Sequence, residues 1–173
     1  MARVGRTLRD YGRLVLLVCV LGAPATMHAT EFPVADLVLI EKAARKLHLV
    51  KGGEIIKTFK IALGMVPVGD KEFEGDFKTP EGRYVLDIRN PDSDYFLAIR
   101  ISYPNAVDRR EAREKGVDPG GAIMIHGQPN VPTRSEMYYR TQDWTNGCIA
   151  VSNSDMIDIW LMTGENTPIE IRP

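Results

Sequence analysis

The sequence predicts a mainly β domain, a β-sandwich or partly closed barrel carrying two short helices. Three observations predict it. At least six short segments read as strands, turn residues separate them throughout, and only two stretches carry helix-end signatures. Asp36 to Ile40 is a first apolar strand. Lys46 to Val50 and Glu54 to Ala62 follow, parted by Gly52-Gly53, which is a hairpin signal. Gly64 to Lys78 contains three glycines and Pro67 without a sustained period, and reads as a loop. Thr79-Pro80-Glu81-Gly82 turns into a strand where Tyr84, Leu86 and Ile88 alternate with Val85, Asp87 and Arg89, and Leu97, Ile99, Ile101 and Tyr103 repeat the alternation.

The first helix is expected after Asn105, an N-cap, with Gly116 as its stop and Glu111–Lys115 as an i,i+4 pair. Its basic trio, Arg109, Arg110 and Arg113, reads as a solvated face. Ala122 to His126 is an apolar strand in which Ile123 and Ile125 face one way, Met124 and His126 the other. Ser152 to Asp155 is a capping box opening the second helix, 154–163, with Ile157, Trp160 and Leu161 on its apolar stripe and Gly164 as its stop. Thr167 to Arg172 closes the domain as a last strand.

The beginning of the chain points to export. Arg3, Arg6, Arg9 and Arg13 precede an apolar run, Leu14 to Gly22, and then Ala23-Pro24-Ala25. A basic region, a short apolar region and small residues make a signal peptide over 1–25, with cleavage as late as Ala29 as the alternative. The apolar run is shorter than the roughly 17–25 residues a membrane helix needs, so no transmembrane anchor is expected after cleavage. The domain proper is expected over 35–173. Taking four arginines and Asp10 from the totals leaves 18 basic against 22 acidic residues, a net charge of −4. That balance argues against nucleic acid and anionic membrane as main partners.

Export also isolates one cysteine. Cys19 lies in the apolar run and is expected to leave with it, so Cys148 remains as a single thiol in an oxidising compartment. An unpaired thiol there implies intermolecular pairing or reactivity. Cys148 sits on a glycine-led turn ahead of an apolar run, Ile149 to Val151, which suits either an approachable nucleophile or a buried core cysteine. A cysteine nucleophile needs a base, a group to orient it, and donors for the developing oxyanion. Of three histidines, His28 lies beside the signal and His48 reads as a half-exposed surface residue. His126 ends an apolar strand before a glycine, as a base or as a satisfied strand-end histidine. Zinc would need three or four ligands where only Cys148 and His126 converge, so no metal or cofactor is expected.

His126-Gly127 followed by Thr145-Asn146-Gly147-Cys148-Ile149 resembles the H-x(n)-[ST]-x-G-C signature of the L,D-transpeptidase (YkuD-type) catalytic domain. The Thr79-Pro80-Glu81-Gly82 turn, Asn153 and the final strand fit as well, and the likeness extends over roughly residues 35–172. It implies a periplasmic or cell-envelope enzyme acting on peptidoglycan stem peptides. Cys148 would attack at diaminopimelate, D-alanine would leave, and an amine would take the acyl group. Carried over, His126 is the base, Gly127 orients it through its carbonyl, and the Gly147 and Cys148 N–H groups form the oxyanion hole. Thr145 supports the turn or the thiol, and Asn146 and Trp144 stand beside it as substrate or turn residues. One position departs from the pattern: many members have Arg after G-C-[IV], where this chain has Ala150. Arg134 or Arg140 would have to substitute. Asp143-Trp144 and Ile149 to Asn153 resemble a branch that includes a hydrolase of the peptidoglycan–lipoprotein link, which makes an envelope lipoprotein a second expected partner. L,D-carboxypeptidase activity, a sortase, and a peptidoglycan-binding scaffold without turnover are the remaining alternatives.

Overall fold

The structure, a computed structural model, describes Met1 and residues 32–173; the expected signal segment otherwise lies outside the described residues. Eight strands run through the domain: β1 (Leu37–Glu41), β2 (Lys46–Lys51), β3 (Glu54–Lys60), β4 (Gly82–Ser93), β5 (Phe96–Ile101), β6 (Met124–His126), β7 (Ile149–Ala150) and β8 (Thr167–Arg172). They form one mixed sheet in the order β3-β2-β1-β8-β4-β5-β6-β7. The hairpins are antiparallel, while β8 enters parallel to β1 and β7 parallel to β6.

The two ends of this sheet meet. Ala62, just past β3, exchanges two backbone hydrogen bonds with Ala150 of β7, each 2.8 Å. Thr145 N–H then donates to Leu63 O at 3.1 Å, and Met65 N–H to Thr145 O at 3.0 Å. Of the two expected architectures, the partly closed barrel is the one formed. The closure consumes edge groups that an open sheet would leave unpaired.

Alternation places the apolar set inside, as expected: Val38 and Ile40 of β1, Tyr84 and Leu86 of β4, Ile169 and Ile171 of β8 are all buried. The helix α1 (Ala106–Lys115) begins at Asn105, whose side chain accepts from Val107 and Asp108 N–H, and stops at a left-handed Gly116. Its expected internal pair is replaced: Lys115 reaches Glu72 at 2.8 Å, and the i,i+4 pair is Arg110–Glu114 at 3.9 Å. Two expectations are corrected. The described residues hold three helices, because Ser135 caps a further one, α2 (Glu136–Thr141), between β6 and β7. The third, α3 (Asn153–Met162), buries Met156, Ile159 and Met162, while Ile157 and Leu161 face outwards. Its N-cap is Ser152, as read, with Asp155 N–H on Ser152 Oγ at 3.1 Å. Each of those buried chains contributes roughly 1.5–3 kcal/mol to holding α3 on the sheet.

Candidate active site

The parallel pairing of β6 with β7 sets His126 beside Ala150 and Ile125 beside Ile149. Cys148, one residue earlier, therefore enters the same edge two positions from His126. Both side chains line one cleft of about 500 Å³. That volume suits a peptide-sized segment rather than a single atom or ion. Its other walls come from distant parts of the chain: Lys71, Glu74, Gly75 and Phe77 in the loop, Ser93 and Tyr95 at the β4–β5 turn, Gly120 to Met124, and Trp144 to Asn146.

The cysteine turn is held by its own backbone. Thr145 Oγ1 donates to Cys148 O at 2.7 Å and accepts from Gly147 N–H at 3.1 Å, and Thr145 is buried. Gly147 has φ +124°, and a Cβ there would stand 2.7 Å from Lys78 O. No side chain fits that site without moving backbone. Asp143, just upstream, accepts from Leu63 N–H at 2.9 Å and forms a bidentate pair with Arg45, which ties the turn to the far end of the sheet. Cys148 Sγ–H points to Ala122 O at 3.6 Å, a weak contact. Burial pushes the thiol up from its ordinary value, against the Met124 N–H and the Lys71 ammonium, which pull it down.

His126 is buried, with 4 % of its surface exposed, and its Nδ1 lies 2.7 Å from Gly127 O. A carbonyl accepts only, so Nδ1 carries the proton and Nε2 keeps its lone pair. Burial lowers its pKa to about 4, the hydrogen bond to Gly127 opposing in part. The ring is thus neutral near pH 7 and able to take a proton. Gly127 is required by close approach, because a Cβ would meet Asn153 Oδ1 at 2.6 Å; that oxygen also accepts from Gln128 N–H at 2.7 Å. Tyr95 and Trp144 flank the imidazole at 4.6 and 5.6 Å between ring centroids. Trp144 is itself anchored by its indole N–H on Tyr139 O at 3.2 Å.

Four sequence expectations change here. The Gly147 N–H is committed to Thr145, so it is not free for an oxyanion, whereas the Cys148 N–H has no partner among the described residues. Arg134 and Arg140 do not reach the cleft: Arg134 lies over the Tyr138 ring at 5.8 Å, and Arg140 meets Glu136 at 3.5 Å. Both stand on or beside α2, the helix missed in the sequence. His48 is buried, not half-exposed, with Nδ1 on Thr58 Oγ1 at 2.8 Å and Nε2 on Glu41 at 3.2 Å. Asn146 lines the cleft but is exposed. Tyr95 and Lys71 were missed altogether; neither belongs to a local motif, and only the closed sheet brings them to Cys148.

Comparison with known proteins converges on one group. The family model for the L,D-transpeptidase catalytic domain (YkuD) matches residues 35–171. Among curated proteins, "Putative L,D-transpeptidase YafK" of Escherichia coli (strain K12) is 43% identical over 95 residues, covering 51% of this chain and 36% of that protein. Among solved structures, the helical cell shape determining protein Pgp2 from Campylobacter jejuni is similar with a TM-score of 0.61 at 30% identity, over 79% of this chain and 46% of its own. An L,D-transpeptidase from Mycobacterium smegmatis shares the fold, with a TM-score of 0.55 at 15% identity, over 79% of this chain and 58% of its own. The chain thus spans about a third of the curated relative and under half of the Campylobacter protein.

Proposed function

The chain belongs to the L,D-transpeptidase (YkuD) catalytic-domain family, and from that premise we propose that it is an exported cysteine acyl-transferase acting on peptidoglycan stem peptides. The observation that carries this reading is the state of His126. Its Nδ1–H is tied to Gly127 O, which leaves Nε2 as the basic atom in the cleft that also holds Cys148.

The resting pair is a neutral thiol and a neutral imidazole, because burial raises the one and lowers the other. As Sγ attacks the carbonyl of diaminopimelate, its proton passes to Nε2. The carbonyl oxygen becomes an oxyanion, for which the unpartnered Cys148 N–H is the donor. Collapse expels D-alanine, which takes the proton from Nε2 and leaves a thioester on Cys148. An amine then attacks the thioester and His126 takes its proton; the C–S bond breaks as the new amide forms, and Cys148 leaves with the proton returned from Nε2, which restores the neutral pair. Thr145 preserves the turn that aims Sγ, and Trp144 and Tyr95 shield the imidazole from water. Family membership supports peptidoglycan as substrate, as does the part of the Campylobacter protein in determining helical cell shape.

The test is to incubate the purified protein with tetrapeptide muropeptides, with and without lipoprotein-linked ones, and to weigh the products. Crosslinked dimers with loss of D-alanine are expected, all absent in Cys148→Ala. Tripeptides alone, or released lipoprotein peptide, would replace transfer by hydrolysis. Unchanged substrate would sink the reading.

A further inference from the structure

Ala150 leaves the cysteine strand without a cation, and Arg134 and Arg140 lie outside the cleft. Lys71 is the one lysine or arginine among the described residues that lines it. Its side chain is 3 % exposed and donates to Asp76 Oδ1 at 2.8 Å and to Phe73 O at 2.9 Å, which uses two of three N–H bonds. Asp76 is equally enclosed and is itself held by the N–H groups of Glu72, Phe73 and Lys78.

A buried pair of this kind is a poor source of stability, since desolvation offsets much of the attraction. The loop has a separate anchor in Lys42, whose ammonium donates to Gly69 O, Thr79 O and Glu81. Lys71 is thus one of two ammonium anchors of the loop, and it is the one that is fixed in the wall of the cleft that also holds the thiol.

We propose that Lys71 is the electrostatic positioning residue of this site: its ammonium, oriented by Asp76, stabilises the negative charge that forms on Cys148 Sγ as the proton moves to His126. The role rests on Cys148 being the nucleophile. The charged and titratable groups that line the cleft with Cys148 are His126 from β6, Lys71 and Glu74 from the loop, and Tyr95 from the β4–β5 turn, with Asp76 paired to Lys71. Glu74 has no ion-pair partner among the described residues, and it opposes Lys71 from an exposed position. The burial of Lys71 favours its field over that of Glu74, because a solvated charge is screened more strongly.

The experiment follows alkylation of Cys148 by uncharged iodoacetamide across pH in the full chain, read by peptide mass spectrometry so that Cys19 is not counted. Lys71→Met should move the inflection to higher pH and slow alkylation at pH 7 by about three- to tenfold. Lys71→Arg should follow the native profile, and Asp76→Asn should move the inflection down by freeing the ammonium from its counter-charge. Coincident profiles for Lys71→Met and the native protein would overturn the proposal. Where melting shows Lys71→Met unfolded, Asp76→Asn decides: a downward move supports the role, and no move or an upward one refutes it. Alkylation needs no muropeptide. A protein that shows this pattern without muropeptide turnover would therefore lose its substrate assignment and keep Lys71.

Discussion

Two histidines lie in strands of the same sheet, His126 at the end of β6 and His48 in the middle of β2, and both are nearly enclosed, at 4 and 6 % exposure. Burial does not separate them. Their second nitrogens do: His48 has Thr58 on one side and Glu41 on the other, while His126 spends only Nδ1, on Gly127 O. A fully partnered ring is a cross-strand brace between β1, β2 and β3. A half-partnered ring facing a cleft is a proton acceptor. What distinguishes the proposed base from the brace is an unspent lone pair at a strand end, where the sheet stops supplying partners.

That contrast can be broken most severely at the thiol. Cys148→Ala removes the atom to which the free nitrogen answers, and should abolish turnover while leaving the melting temperature close to native. Turnover near the native rate, measured on muropeptides, would leave His126 without a partner. The two rings can then be exchanged for amides in turn. His126→Gln should slow turnover by roughly 10²–10⁴-fold, the usual loss of a general base. His48→Gln should leave turnover nearly unchanged and lower only stability; equal losses at both would erase the distinction.

Acid sharpens the comparison next. The pKa of His126 is about 4 in the folded chain against an ordinary 6.5, so the folded state disfavours its protonation. Its contribution to stability is complete above pH 6.5 and is lost as pH falls from 6.5 towards 4, at most about 3 kcal/mol. Urea midpoints across that window should decline in the native protein and decline less in His126→Gln. The acid limb of kcat/KM should likewise lie near pH 4 rather than 6.5. Smallest in effect is Thr145→Val, which strips both hydrogen bonds from the cysteine turn while preserving shape. A cost of about 1–3 kcal/mol is expected by thermal melting, with a fall in kcat larger than any change in KM.

Much of this was written locally in the chain. Asn105 and Gly116 end α1 as read, Ser152 opens α3, and Gly52-Gly53 turns the first hairpin, because caps and turns are decided by a few neighbouring residues. The interior face of α3 was misread by one position. Apolar residues nearly surround that helix, so Met156, Ile159 and Met162 compete with Ile157 and Leu161, and packing against the sheet decides between them. The six residues of α2 are too few to show a period, and only Tyr139 is buried. His48 looked exposed because nothing local announces that Glu41 and Thr58 flank it. Cys148, His126 and their two glycines were legible as a motif. Lys71 and Tyr95 were not, since their place beside the thiol depends on how the sheet curves.

The bridge between Ala62 and Ala150 joins residues 88 positions apart, and the cysteine turn hangs between it and the Gly64–Thr145 bridge. Closing so long a loop is among the more expensive contacts the chain makes in entropy. Cys148 therefore depends on more than the Thr145 hydrogen bonds of its own turn: its place in the cleft is set only when the first hairpin and the last third of the chain have found each other. Folding itself sets the geometry, and a chain whose two parts have not yet met carries an ordinary, unaimed cysteine. Amide exchange at Ala62 and Ala150 should accordingly follow global unfolding rather than local fraying.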